Sequence, residues 1–168
     1  YRDPIFDSCV TRITDVSTDL ISPDTSKGFK NEYSRVNSWN SDQSKILIRS
    51  LNANWYVYNA TTLKPVKMLS VQGSVDPRWD ATNPDILYFI EGTVLKSYNV
   101  STDSITVLRD FAGDFPGLTV NAVWTRYEGS PTADSRYWGL MAEDQNWNTF
   151  AFLIYDAKNN IITANRTL

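Results

Sequence analysis

An internal repeat of about forty residues limits the folds open to this chain more than any other feature of its sequence. Trp39 and Trp79 are 40 positions apart, Tyr58 and Tyr98 are also 40 apart, and Trp124 follows Trp79 by 45. Two independent markers that share one period are typical of architectures in which each repeat is one supersecondary unit. We therefore expect several similar units that bury their apolar faces against one another.

The composition of each repeat indicates β-structure. Short segments rich in Val, Ile, Tyr, Phe and Thr alternate with clusters of Asn, Asp, Ser, Gly and Pro, the pattern of strands separated by turns. The clearest predicted strands lie at 46–48, 55–58, 86–90, 94–98, 105–108 and 150–155. No long helical period competes with them, so the sequence predicts very little helix.

These strands predict an all-β chain that forms part of a β-propeller. We expect one domain over 1–168, with about three four-stranded antiparallel blades at 32–70, 71–112 and 113–168. Residues 1–31 would supply a leading N-terminal strand, at 12–15, followed by a polar loop. Closed propellers have about four to eight blades. Further blades of the same protein, or other copies of it, would therefore be needed to complete the ring.

The exit from the third strand of each repeat carries the same chemistry. An aromatic residue is followed by Asn59, Asn99 or Asp156, whose side chains can accept hydrogen bonds from the backbone two residues later. Asn59 and Asn99 are also glycosylation sequons, as is Asn165. Because Asp156 fills the same position, turn formation explains the first two asparagines without a glycan, although glycosylation in an exported protein remains an alternative.

The turn before the second strand carries a family resemblance. The segments that carry it are Trp39-Asn40-Ser41-Asp42, 130–134, and a longer variant formed by 76–79 with 83–85. They resemble the Trp-Ser-Pro-Asp-Gly type turns of TolB-like and oligogalacturonate-lyase-like propellers, which are built from WD40-like PD40 repeats. The likeness spans nearly the whole chain, with Gln43 and Ser135 where the family prefers Gly. It implies a propeller and, in the lyase branch, a histidine-held manganese ion and a uronate substrate.

The residue counts exclude several kinds of chemistry. The chain has no histidine, so it cannot supply a Ser-His-Asp triad, a Cys-His dyad or a His-ligated zinc site. Cys9 is the only cysteine, and we expect it to be a small buried strand residue or a link to another chain or to a missing part of this one. The run 144–148 lacks the glycine and the terminal glutamate of a calcium loop. We therefore expect no cofactor, no metal and no catalytic constellation.

Charge and hydropathy limit the partners. With 16 basic and 19 acidic residues, the chain has no positive field that would attract nucleic acid or anionic lipid. Its longest apolar stretch, 150–155, is far shorter than the roughly 20 residues that span a bilayer. A protein or polysaccharide partner is the expectation that remains.

Six tryptophans in 168 residues favour a carbohydrate-stacking hypothesis. We expect Trp39, Trp79 and Trp124 to belong to the core because they hold the repeat position. Trp55 and Trp147 lie at hairpin turns, so we expect them to be exposed and to contact a ligand. The position of Trp138 is left open.

The sequence leaves two roles open for the Arg78 side chain. It could reach the central channel of a propeller and contact an acidic sugar, or it could pair with Asp76 or Asp80. The sequence favours the structural pairing, because both carboxylates lie within two residues of the arginine.

The expected function is a non-catalytic binding or scaffolding module of an exported protein, either secreted, extracellular or periplasmic. The first residues show neither an initiator Met nor an apolar targeting segment, so we expect that a leader has been removed. One alternative is the N-terminal part of an oligogalacturonate-lyase-like polysaccharide lyase. The other is a structural subunit of an extracellular filament or surface assembly that pairs through exposed edge strands.

Overall fold

The computed structural model describes residues 1–168 and confirms the all-β prediction. Its helices are α1 (Val16–Asp19) and a 3-10 turn at Ala112–Asp114, and neither is long and apolar enough to cross a membrane. The strands are β1 (Phe29–Lys30), β2 (Lys45–Ser50), β3 (Asn54–Asn59), β4 (Lys64–Gln72), β5 (Arg78–Trp79), β6 (Ile86–Glu91), β7 (Val94–Asn99), β8 (Ser104–Asp110), β9 (Ala122–Trp124), β10 (Tyr137–Glu143), β11 (Thr149–Asp156) and β12 (Ile161–Thr167).

The strands form three four-stranded antiparallel sheets, each in chain order, and these are the predicted blades of a partial propeller. Blade 1 is β1-β2-β3-β4, blade 2 is β5-β6-β7-β8, and blade 3 is β9-β10-β11-β12. We call the first strand of each blade its inner strand. The inner strand of blade 1 begins at Phe29, inside the 1–31 region that the sequence assigned to the leading segment.

The register shows which repeat markers are equivalent. The marker tyrosine of each blade pairs with an apolar residue of the second strand: Tyr58 with Ile46, Tyr98 with Leu87 and Tyr155 with Trp138. Trp79 on β5 extends the second row, and Trp39 extends the first through an isolated bridge to Ile46. Trp124 instead pairs with Met141, three residues beyond Trp138. The step of 45 is therefore not a structural repeat, and grouping Trp124 with Trp39 and Trp79 was wrong.

The exit turn of the third strand is the most regular part of the repeat. In each blade one side-chain oxygen accepts two backbone N–H bonds of 2.8–3.2 Å, from Thr61 and Thr62 to Asn59, from Ser101 and Thr102 to Asn99, and from Lys158 and Asn159 to Asp156. Each turn then passes through a left-handed residue, with φ between 54° and 59°, at Leu63, Asp103 and Asn160. The predicted turn chemistry is confirmed in all three blades.

Asp156 adds an ion pair to this turn, which makes the acid stability of the chain testable. Arg136 donates two hydrogen bonds to its carboxylate, at 3.0 and 2.7 Å, and thereby holds the pKa of Asp156 well below its usual range. A carboxyl whose pKa is depressed by folding stabilises the fold above its unfolded pKa of about 3.9, and that contribution is lost as the pH falls further. Asp156→Asn keeps the turn seen at Asn59 but removes the charge.

We therefore expect the free energy of unfolding of Asp156→Asn to fall less steeply below about pH 4 than that of the parent chain. Urea denaturation at a series of pH values between 7 and 2 measures this slope. Asp7→Asn is the control, because Asp7 forms only an exposed pair with Arg2. Identical acid dependence in Asp156→Asn and the parent would contradict the role of the pair.

The core lies between blades. Each blade has two faces. We call the face on the side of the preceding chain segment the upstream face, and the opposite face the downstream face. Leu47 and Val57 of blade 1 pack against Leu87 and Phe89 of blade 2. A second cluster joins blades 2 and 3, with Ile90, Leu95, Trp138, Leu140 and Leu153 among its buried residues. The downstream faces of blades 1 and 2 are thus each covered by the upstream face of the next blade.

The N-terminal segment covers the upstream face of blade 1. Ile13 and Ile21 pack against the cluster that contains Ile46 and Tyr56. The predicted strand at 12–15 is wrong: Asp15 instead caps α1, accepting a hydrogen bond from the Ser17 amide. The segment has no alternating apolar pattern that could extend a sheet, and it serves as a cover instead.

Two carboxylates of the N-terminal segment accept hydrogen bonds from tyrosines of blade 1. Asp24 accepts a hydrogen bond of 2.8 Å from the Tyr56 hydroxyl, and burial beside this carboxylate raises the pKa of Tyr56 to about 12. Asp19 accepts one of 3.4 Å from Tyr58. In blade 3 the equivalent Tyr155 donates to Asn160 of its own turn. Because blade 1 has Leu63 at that position, its tyrosine requires an acceptor from the N-terminal segment.

Cys9 lies outside this cover. It is exposed and forms an isolated bridge with Arg2. The expectation of a small buried strand residue was therefore wrong, because the first ten residues do not join any of the three sheets.

Candidate functional site

The two tryptophans predicted to contact a ligand lie in opposite environments. Trp55 is only 2 % exposed, and its indole N–H donates to the carbonyl of Gly73 at 3.0 Å. The expectation that it is exposed was wrong, because the side chain points into the core between blades 1 and 2. Trp147 is 55 % exposed, as predicted.

Trp147 lies on the β10–β11 hairpin, beside Trp124. Its ring lies 5.9 Å from that of Trp124, whose indole donates to Glu143 at 2.8 Å. Asp144 closes the hairpin by accepting hydrogen bonds from the amides of Asn146 and Asn148. These bonds hold the Asp144 carboxylate in the turn. The exposed indole of Trp147 is therefore what this hairpin offers to a ligand.

A polar cleft of about 610 Å³ opens at the opposite end of the strands. All three blades contribute to it where their inner strands turn into their second strands. Its lining includes Asn37, Trp39, Asn40, Ser41 and Gln43 from blade 1, Arg78, Trp79, Asp80 and Ala81 from blade 2, and Ser130, Pro131, Thr132, Ala133 and Ser135 from blade 3. We call it the central cleft.

Trp39 and Trp79 occupy the same row of the repeat but differ in exposure. Trp79 is 9 % exposed, and its indole donates to the carbonyl of Ser38 on the preceding blade at 3.0 Å. Trp39 is 41 % exposed. The expectation that Trp39 belongs to the core was therefore wrong, and its indole is available in the lining of the central cleft.

Arg78 lies in the cleft wall but is fully engaged by the protein. Its side chain is 5 % exposed and pairs with Asp76 at 2.8 Å, which confirms the predicted structural pairing. The guanidinium also donates to the carbonyls of Gly129 and Pro77 and to the hydroxyl of Thr125, at 2.7–3.0 Å. These bonds join the inner strand of blade 2 to blade 3.

Asp80 is the other charged residue of the lining. One of its oxygens accepts hydrogen bonds from the amides of Thr82 and Asn83, and the other accepts one from Tyr88 at 2.9 Å. Burial alone would raise the pKa of Asp80, but these hydrogen bonds outweigh it and the pKa is lowered. The carboxylate is therefore ionised at neutral pH.

The turns that edge the cleft contain two non-glycine residues with left-handed backbone. Gln43 and Ser135, which stand where glycine is preferred, have φ values of 59° and 57°. This left-handed region is where glycine is least strained. The turn is thus kept without glycine, and the cleft gains the side chains of Gln43 and Ser135.

The downstream face of blade 3 is the other notable surface. Phe152 and Ile154 are 47 % and 46 % exposed, and they lie beside Met141 and Trp124 in a shallow apolar depression. The downstream faces of blades 1 and 2 are covered by the next blade. This face therefore resembles an uncovered interface between blades, whereas the central cleft has the polar groups of a ligand site.

The predicted sequons lie at accessible positions. Asn59 and Asn99 are partly exposed in their turns, and Asn165 is exposed on β12. Glycosylation at these three residues stays a prediction.

The residues present do not fit the manganese ion that the lyase resemblance implies. The chain has no histidine, and it contains no group of three carboxylates or thiols placed to hold an ion. No reaction step can be derived for this chain from that resemblance.

The sequence signal for the central cleft is the pair of turns that begin at Trp39 and Ser130. What the sequence did not show is that these turns converge with Asp80. Known proteins do not extend the assignment, because no protein-family model and no curated protein matches the chain.

Proposed function

We propose that the chain is a non-catalytic, glycan-binding module of an exported β-propeller protein, with its ligand in the central cleft. The observation that carries the proposal is the composition of this cleft. Three blades converge there to supply amide and hydroxyl side chains beside the partly exposed indole of Trp39. Sugar rings present apolar faces that suit aromatic side chains and hydroxyls that exchange hydrogen bonds with polar ones.

The arrangement favours binding over chemistry. The two charged residues of the cleft, Arg78 and Asp80, are already occupied by structural hydrogen bonds. A general acid donates a proton to the substrate and a general base accepts one. The structural hydrogen bonds leave neither Arg78 nor Asp80 free for either role. The alternative of a structural subunit stays a prediction, and the downstream face of blade 3 would be its contact surface.

Removal of the indole at the cleft tests the proposal. We expect Trp39→Ala to weaken binding of a cleft ligand severalfold, up to about tenfold, since stacking on an aromatic ring contributes about 0.5–1.5 kcal/mol. Isothermal titration calorimetry with neutral tetrasaccharides of the glucan, mannan, galactan and xylan types measures the affinity. The backbone bridge between Trp39 and Ile46 does not depend on the side chain, so the variant should fold.

Trp147→Ala is the matched control, because it removes an indole that is 55 % exposed, against 41 % for Trp39, at the other end of the strands. It should leave the affinity unchanged. The proposal fails if none of the tetrasaccharides binds, or if the two variants lose affinity equally.

A further inference from the structure

The charge of the central cleft indicates the class of glycan that it accepts. Of the lining residues, Arg78 is the only basic one, and all three of its guanidinium nitrogens donate to protein acceptors. Its charge is balanced by Asp76, which is 1 % exposed. The cleft therefore holds no cation that is free to meet an anionic ligand.

Asp80 gives the cleft an uncompensated negative charge. Its hydrogen bonds come from uncharged donors, namely the amides of Thr82 and Asn83 and the hydroxyls of Thr82 and Tyr88. These bonds stabilise the carboxylate without neutralising it. A ligand carboxylate would lose hydration in the cleft, find no counter-ion and be repelled by Asp80.

The remaining polar groups suit an uncharged ligand. Asn37 and Gln43 carry amides that offer both a donor and an acceptor, and Ser41 and Ser130 carry hydroxyls. Such groups pair with sugar hydroxyls in either direction. We infer that the central cleft binds neutral glycans and discriminates against uronate-containing ones. This inference rests on the proposed glycan-binding function and narrows its ligand class.

A matched ligand pair tests the inference. Tetragalacturonate and its fully methyl-esterified form share one backbone and differ in charge, and glucan and glucuronan tetrasaccharides form a second pair. At pH 7 and low salt, calorimetry should show each neutral member binding at least about tenfold more tightly than its uronate partner. Added NaCl should narrow the difference, because salt screens the repulsion.

Asp80→Asn tests the residue responsible. We expect the ratio of neutral to uronate affinity to fall several-fold, because the variant removes the charge that repels the uronate. Asp85→Asn is the matched control, because Asp85 lies in the same turn but pairs with Lys45 outside the cleft lining. The salt series on the parent chain provides an independent measurement should Asp80→Asn lose its fold.

The possible failures are distinguishable. Equal or tighter binding of the uronate members, with affinity still dependent on Trp39, overturns the inference and leaves the glycan-binding function standing. Absence of binding to all members, or binding that does not depend on Trp39, overturns both.

Discussion

Replacing Arg78 by alanine is expected to lower the free energy of unfolding by about 3–5 kcal/mol, the usual cost of breaking a buried ion pair. The substitution leaves Asp76, which is 1 % exposed, with its hydrogen bonds from Thr125 but without its cationic partner. It also removes the donors to the Gly129 carbonyl and the Thr125 hydroxyl, which join blade 2 to blade 3. Such a loss is a large part of the roughly 5–15 kcal/mol by which domains are stable.

Urea denaturation followed by tryptophan fluorescence measures the change. Arg2→Ala is the control, because the Arg2–Asp7 pair is exposed and should contribute less than about 1 kcal/mol. The double variant with Asp76→Ala should cost less than the sum of the two single changes, since it removes the unpaired charge together with its partner. A loss below about 1 kcal/mol in Arg78→Ala would contradict the role assigned to the pair.

Trp138→Ala is expected to destabilise the chain by about 3–5 kcal/mol through the cavity that it leaves. Trp138 is 1 % exposed, packs edge-to-face on Tyr88 of blade 2 at 5.3 Å, and donates its indole N–H to the Ser135 carbonyl. Its side chain fills the centre of the interface between blades 2 and 3.

The matched control is Trp147→Ala, in the same sheet. Trp147 contacts Trp124 but is 55 % exposed, so its loss should cost less than about 1.5 kcal/mol. Thermal and urea unfolding of the two variants should therefore differ clearly. Similar stabilities would mean that the blade 2–blade 3 interface does not depend on Trp138.

The fold was predictable because its signals are local. The turns at Asn59, Asn99 and Asp156 form from adjacent residues, and the strands alternate or run apolar over a few positions. The cover on blade 1 was not predictable in this way. Its contacts, such as that of Asp24 with Tyr56, join residues 32 positions apart and follow no period.

The candidate site was less predictable, because exposure in a propeller depends on the neighbouring blade. Trp55 stands at a hairpin turn, which suggested exposure, yet blade 2 covers it. Trp39 holds a repeat position, which suggested burial, yet it lies partly exposed at the central cleft. The pairing of Arg78 with Asp76 was predictable because it is set by positions two residues apart.

The cover on the upstream face of blade 1 has a consequence for the order of synthesis. A ribosome releases the N-terminal end of a chain first, so Asp19 and Asp24 emerge before the tyrosines that they meet. The upstream face of blade 1 can therefore be covered by polypeptide that has already been synthesised. Its downstream face is covered once blade 2 has been synthesised. Each later blade likewise folds against a surface that has already formed. This order shortens the time for which apolar strand faces are exposed in the cell.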